Sequence, residues 1–412
     1  MAKTKTKLTS QAKQKLINVQ HEKEFLNKLR NSFKIVTGED LFKFIPPTDY
    51  KLIIFSRARP MLAVPEKGES IPSNVMAQIQ QLITYYVKIQ MISIEATQNS
   101  ISLVDFYSLG LTLSAYCEQL NRKEYKTENA LEIKQMVDKS CLEFIQQFDI
   151  VYDKMNDKLF PFLSKATNRY WEGFYSYKFG VETDKSNVVP QFQVVVKLYQ
   201  PEKKNFSLSS HVRPAFRIGW TFKEGEFQWI FLLPSQLGME PVTENQQIPV
   251  YIQAHAIQRL FERIDCINED ILIPSIYDSL RYCTYIPDKG NFLIELSIVG
   301  VKIGYLSAVM FEGSLIIRTF LFLTFNGTPE GKRLEKYIGL KMLDRNYLKM
   351  DKLSSFMTSK LSENEELRSI FQKADCLHLV ELYDKLDRFS AVHPQKSPIE
   401  MLARYLEKER VE

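Results

Sequence analysis

Residues 292–325 restrict the fold more than any other stretch of the chain. Phe292, Ile294, Leu296 and Ile298 alternate with a mixed face carrying Glu295 and Ser297, the period of a strand with one face on a core. Gly300 punctuates the run, Val301 to Met310 resumes it, Phe311-Glu312-Gly313-Ser314 supplies a turn, and Leu315 to Phe325 follows. Strands joined by so little chain pair antiparallel, so the spacing predicts an antiparallel meander. The longest apolar window, Phe292 to Met310, contains Glu295 and Lys302. A membrane span needs about 18 or more residues nearly free of charge, so this window reads as paired strands. The N-terminus lacks the apolar core of a signal peptide. The expectation is a cytoplasmic protein without a membrane partner.

Around the meander the character shifts along the chain. Residues 9–33 place Leu16, Val19, Leu26, Leu29 and Phe33 at loose helical spacing, and Pro46-Pro47, Pro60 and Pro65 mark an extended link. Asn74 to Thr97, Leu103 to Leu120 and Glu128 to Phe148 carry helical periodicity, the last opening on Thr127 as N-cap. Gln191 to Tyr199 reads as a strand. Ala215 to Lys223 and Phe227 to Leu233 read as two strands around Glu224-Gly225-Glu226. Helices fit Pro249 to Ile264 and Glu269 to Tyr282, and the remainder from about Gly331 is helical and charged. The fold class is therefore α+β: a helical N-terminal domain, an antiparallel sheet with helices, and a helical C-terminal tail. The expected division is a basic arm over 1–35, a helical domain over 36–168, a hairpin-rich region over 169–248, a helix plus meander over 249–330 and the tail over 331–412.

The net charge of +5 is unevenly spread. Residues 1–34 hold Lys3, Lys5, Lys7, Lys13, Lys15, Lys23, Lys28, Arg30 and Lys34 against only Glu22 and Glu24, so this segment is +7 and the rest of the chain −2. Such an arm attracts polyanions, RNA or another nucleic acid or an anionic lipid, through counterion release and long-range attraction; the plainer reading is a solubilising lead into an amphipathic helix. The five cysteines, Cys117, Cys141, Cys266, Cys283 and Cys376, form no CxxC pair, and this excludes a zinc knuckle or dithiol motif. An odd, scattered set fits buried thiols in a reducing compartment. No cofactor and no metal is expected, and no GxSxG, HExxH or EF-hand loop is present.

The strongest constellation is QAHAIQRLFERID, residues 253–265. On a helix, His255, Arg259, Glu262 and Arg263 share one arc of about 100°, while Ile257, Leu260, Phe261 and Ile264 lie opposite. Such a helix buries one side and presents a histidine, a glutamate and two arginines on the other. The grouping suits metal-free cleavage of a phosphodiester. A histidine titrates near neutrality and serves as general acid or base. Guanidinium groups hold the phosphate and offset charge building on it. Glu262 orients an arginine or moves a second proton. RNA brings its own nucleophile in the 2′-hydroxyl. The plain alternative is a solvated helix face in which Arg259 and Glu262 form an ordinary i,i+3 pair.

A helix reading His-x3-Arg-x2-Glu-Arg, a second short helix and then a meander resembles the barnase–EndoU–colicin–RelE group of ribonuclease domains, in particular its toxin-like members. The matching run is His255-Ala256-Ile257-Gln258-Arg259-Leu260-Phe261-Glu262-Arg263, and the likeness covers about residues 250–326. The resemblance implies RNA cleavage without a metal, over a sheet that cradles the substrate. It also implies a further polar residue on a late strand, for which Arg318, Thr319 and Thr324 are the candidates. Alternation puts Arg318 and Thr324 on one face and Thr319 on the other. The flanking helical regions depart from the small free-standing toxins and leave a degenerate copy open. The rival reading is a non-catalytic protein of a mobile-element or phage-related system that binds nucleic acid or a protein partner.

Three weaker features complete the reading. Asn326-Gly327-Thr328-Pro329-Glu330-Gly331-Lys332-Arg333 follows a strand and precedes a helix, but it lacks the spacing of a phosphate loop and reads as a connection. Tyr170, Trp171, Phe174, Tyr175, Tyr177 and Phe179, flanked by Arg169 and Lys178, could stack bases but fit a core better. His211-Val212-Arg213 is a second His–Arg pair, read as structural or solvated.

Overall fold

The computed structural model describes residues 10–94, 97–120, 130–135, 156–182, 191–208, 211–222, 225–241, 243, 246–288, 290–339, 348–357 and 364–380, with side chains from residue 17 onward. Most of the helix expected over Glu128 to Phe148 lies outside them, as do Lys3, Lys5, Lys7 and Cys141. The fold is α+β with mainly antiparallel sheets. The chain forms two compact units: residues 1–163, 176–198 and 223–225 make the first, and residues 164–175, 199–222 and 226–412 the second. The units are thus interleaved in sequence.

In the first unit, helix α1 (Ser10–Thr37) turns the basic arm into regular structure. It ends at Gly38, whose φ of +76° supplies the left-handed residue that terminates many helices. Leu29, Phe33 and Val36 recur at helical spacing and are buried. Three cations of the arm, Lys28, Arg30 and Lys34, have acidic partners. Arg30 Nε donates to both oxygens of Asp40 at 2.9 Å, Lys34 lies 3.6 Å from the same carboxylate, and Lys28 Nζ lies 2.5 Å from Asp105. The Arg30 guanidinium holds the Asp40 carboxyl below the usual carboxylate range. Helix α2 (Tyr50–Phe55), strand β1 (Leu62–Pro65) and helix α3 (Ser73–Ile89) follow. The helical run expected to reach Thr97 stops at Ile89. Met91-Ile92-Ser93-Ile94 alternates with period two and forms strand β2 (Met91–Ile94), hairpinned to β3 (Asn99–Ser102). Helix α4 (Leu103–Leu120) is buried on most sides, and inside it Tyr116 donates to Asp49 at 2.9 Å. A small sheet pairs β1 in parallel with β5 (Gln191–Tyr199), beside β4 (Phe174–Glu182).

The second unit is built on one sheet in the order β12-β13-β14-β15-β11-β7-β6, with β10 (Phe231–Leu232) also paired to β11. The strands are β6 (Lys203–Leu208), β7 (His211–Arg217), β11 (Ile248–Gln253), β12 (Tyr285–Asp288), β13 (Asn291–Ile298), β14 (Val301–Phe311) and β15 (Ser314–Phe322). The meander is present, extended at its edge by β12. Its two tight turns carry positive φ at both central residues, Val299 (+50°) with Gly300 (+75°) and Glu312 (+48°) with Gly313 (+73°), which matches the twist of the flanking strands. The strand expected over Ala215 to Lys223 breaks at Ile218: β7 joins the large sheet, and β8 (Gly219–Thr221) hairpins with β9 (Phe227–Trp229).

The main correction concerns residues 249–253. They are the last five of the six residues of β11, not the start of a helix. β11 runs parallel to β15 (Val250 opposite Leu315) and antiparallel to β7 (Gln253 opposite Ala215). A strand covered on both edges and both faces is apolar throughout, so it carries no period of two to distinguish it from a buried helical turn. Helix α5 (Ala254–Arg263) starts directly at its end, and α6 (Glu269–Tyr282) follows. Ile257, Leu260 and Ile264 of the first helix and Leu272, Ile273, Ile276 and Leu280 of the second join Ile294, Leu296, Tyr305 and Ile317 in one buried core. The opposite face at the β6 end is covered by a smaller group, Phe206, Ala215, Tyr251 and Ile316. Helices α7 (Pro329–Ile338), α8 (Leu353–Met357) and α9 (Glu365–Lys373) add Leu334, Phe356 and Phe371 to the main core.

Glu330, at the start of α7, is buried and accepts hydrogen bonds from Lys302 Nζ (3.0 Å) and Tyr305 Oη (3.0 Å); the same ammonium donates to Glu295 at 2.8 Å. Burial pushes the Tyr305 hydroxyl up to about 12, so it remains a donor. Removing the carboxylate leaves a partly buried ammonium and a buried hydroxyl with fewer partners. Glu330→Ala should cost about 2–3 kcal/mol, read as a lower urea midpoint at constant slope; an unchanged midpoint refutes the role. Val299, a β-branched residue in the left-handed region, should gain about 0.5–1 kcal/mol on change to Asn, read the same way.

Candidate functional site

The site builds outward from Gln253, the last residue of β11. Its side chain is buried, and its Nε2 has no hydrogen-bond partner among the described residues. Two residues on, His255 stands on the first turn of α5, half-buried, without a described hydrogen bond. Its imidazole is shifted below the ordinary value, first by burial, then by the charges of Arg259 and Arg213; Glu262 opposes the shift. The ring is therefore neutral near pH 7, a state that accepts protons.

Three of the residues expected on the polar arc stand together. Arg259 Nη1 donates to Glu262 Oε2 at 2.8 Å, and Gln258 Nε2 donates to Glu262 Oε1 at 2.8 Å. Glu262 thus meets Arg259 from one turn away, an arrangement common to the orienting role and to the ordinary i,i+3 surface pair. Arg263 is engaged elsewhere. Its half-buried guanidinium forms an ion pair with the Asp351 carboxylate and lies 3.5 Å from the Asp351 carbonyl oxygen. A phosphate must compete with Asp351 for this group.

Arg318 lies on β15 at a bulge. Thr319 pairs with Ser307 and Ile317 with Ala308, leaving Arg318 as the extra residue. The parallel register puts Ile317 opposite Ile252, so Arg318 follows at the end of the ladder where β11 gives way to α5. It has no ion pair among the described residues. The bulge breaks the alternation that linked Arg318 to Thr324. Thr324 lies past the end of β15, buried, with its hydroxyl donating to the Met350 carbonyl.

Arg213 was visible in the sequence but had no reason to be joined to His255. Register supplies it: Ala215 opposes Gln253, so β7 carries Arg213 beyond the end of β11, toward the first turn of α5. Its charge acts on His255 from a separate element. The first turn of α5 thus carries His255, with the Glu262-paired Arg259 one turn on and Arg213 beside it from β7, while Arg318 stands at the end of the β11–β15 ladder.

The other candidates have structural roles. Tyr170, Phe174, Tyr175 and Tyr177 are buried; Tyr170 Oη donates to the Ile273 carbonyl at 2.9 Å. In the 326–333 connection, Thr328 caps α7 by accepting from Gly331 N at 2.9 Å, and a Cβ at Gly331 would sit 1.9 Å from the Phe325 carbonyl oxygen. Cys117, Cys266, Cys283 and Cys376 are buried, and none is in a disulfide. Among the described residues, no group of three or more His, Cys, Asp or Glu side chains is arranged to hold a metal, and no helix is long and apolar enough to cross a membrane. Comparison with protein-family models, with curated proteins and with solved structures returned no match to this chain. The functional reading therefore rests on the residues themselves.

Because Arg259 and Arg213 depress His255, Arg259→Ala should raise its apparent pKa toward about 6.5, followed by imidazole proton shifts in NMR. The unfolded chain takes up this proton more readily, so the group's contribution to stability declines as pH falls through the ordinary imidazole range. A pKa unmoved by the substitution refutes the electrostatic arrangement.

Proposed function

We propose that the exposed face of α5, with Arg213 and Arg318 beside it, binds the phosphates of RNA, and that His255 acts as general base in metal-free strand cleavage. What supports this reading is the placement of His255 and Arg259 on the polar arc of α5, with Arg213 brought by register beside its first turn; burial and these two charges hold the imidazole below its ordinary value. A neutral histidine takes the proton from the 2′-hydroxyl, the 2′-oxygen attacks phosphorus, and the 5′-oxygen leaves and is protonated by solvent. Arg259, held by Glu262, and Arg213 offset the charge that builds on the phosphoryl oxygens. Arg318 extends the cationic surface toward a neighbouring phosphate. The products are a 2′,3′-cyclic phosphate and a 5′-hydroxyl.

A second reading, nucleic-acid binding without cleavage, is favoured by a different observation: Arg259 and Arg263 both already have carboxylate partners. It keeps the phosphate contacts and removes the chemistry.

End-labelled RNA separates the two. Cleavage should persist in EDTA, disappear in His255→Ala, and stop at a position carrying a 2′-deoxy sugar. Arg213→Ala should weaken binding, with a shallower dependence on salt. RNA bound but left intact by the wild type selects the second reading. RNA neither bound nor cut removes both. Toxicity on expression, relieved by His255→Ala, would add support for the toxin-like form of the first.

A further inference from the structure

One side chain at the α5 site has no task in the proposed cleavage. Gln253 is only 2% exposed, and its Nε2 has no hydrogen-bond partner among the described residues. A buried donor left unpaired is costly, and native proteins seldom keep one without a reason. The sheet shows why this amide is unmet. Ala215 stands opposite Gln253 on β7 and offers only a methyl group. On the other edge the pairing of Ile252 with Ile317 leads to Arg318, whose guanidinium carries donors and no acceptor.

Gln253 is also the N-cap residue of α5. This helix has ten residues, no side chain caps its start, and its first turn holds no acidic residue. The N–H groups of Ala254, His255 and Ala256 therefore have no acceptor within the helix, and they lie at its positive end. Ala254 is exposed, and its small side chain leaves the approach to this turn open. Arg213 adds a charge from β7 that acts on His255 in the same turn. Glu262 stands about two turns further along, already engaged with Arg259 and Gln258.

Two separate features thus ask for an acceptor at one place: an uncapped helix start and a buried amide beside it. We infer that the N-terminus of α5 seats one phosphate group of the substrate, with Gln253 Nε2 donating to a non-bridging oxygen and the first-turn N–H groups meeting another. A phosphate supplies what the place lacks, several acceptor oxygens and negative charge at a helix start. Its tetrahedral oxygens can meet a side-chain amide and a helix end together, whereas a carboxylate offers two oxygens in one plane. The inference rests on the reading above for RNA as the substrate, and it adds where the reacting phosphate sits, next to the imidazole of His255.

The test titrates the full chain, carrying isotope-labelled alanine, with inorganic phosphate at an ionic strength held constant by chloride. The amide signals of Ala254 and Ala256 should move along a saturation curve in NMR. Gln253→Met keeps the length of the side chain and removes the donor. It should weaken phosphate about tenfold or more, lower RNA cleavage or binding, and raise the urea midpoint of the free protein, because an unpaired buried donor is gone. Alanine signals unmoved by phosphate overturn the inference, and this arm needs no variant. A folded Gln253→Met with unchanged phosphate affinity and a lower midpoint also overturns it, since it marks an amide with a structural task alone. If Gln253→Met proves unfolded, Gln253→Leu replaces it. RNA neither bound nor cut by a chain whose amides still answer to phosphate removes the RNA reading and leaves the phosphate seat. RNA cut by a chain whose amides ignore phosphate does the reverse.

Discussion

Strand β11 is held on one edge by β15 and on the other by β7, and the helix bearing His255 begins where it ends. Tyr251 and Ile252 are paired on both edges, and the side chains of the strand are packed on both faces. The first turn of α5 therefore inherits a fixed origin and direction. Burial of Ile257, Leu260 and Ile264 fixes its rotation, so the polar arc faces away from the core. The separations among His255, Arg259 and Arg213 follow from a ladder register and a helical pitch, both stiffer than a surface loop.

Ion pairing governs which cations remain available. In the N-terminal helix, Arg30 and Lys34 share Asp40 and Lys28 pairs with Asp105, so two carboxylates offset a part of the positive charge concentrated there. On α5, Glu262 neutralises Arg259, and Asp351 takes Arg263. Arg213 and Arg318, both borne on strands, carry no described ion pair. A cation already matched with a carboxylate contributes less to attracting a polyanion than its count in the sequence implies.

Much of the architecture was legible because it depends on local period and turns. The meander, α4 (Leu103–Leu120), α6 (Glu269–Tyr282) and the two-sided character of α5 follow from spacing alone. β11 was hidden because Val250, Tyr251 and Ile252 are all buried and the strand runs directly into a helix, so the two patterns merged into one longer helical reading. The end of α3 was hidden in the same way by the β-branched residues that follow it. Arg213 and Asp351 were out of reach for another reason. Each meets α5 through pairing set by distant parts of the chain, and no local pattern encodes a partner some 40 or 90 positions away. The bulge at Arg318 was equally invisible, because an unpaired residue leaves no mark on the alternation around it.

The parallel ladder carries a consequence for biosynthesis. β7 leaves the ribosome before β11 and can cover one edge of it at once. The other edge needs β15, whose Leu315 opposes Val250. At about 5–20 residues per second, the nascent chain spends several seconds with that apolar edge open. The intervening segment is α5, α6 and the first hairpins, which fold on faster timescales. They can shield the waiting strand until its last neighbour is translated.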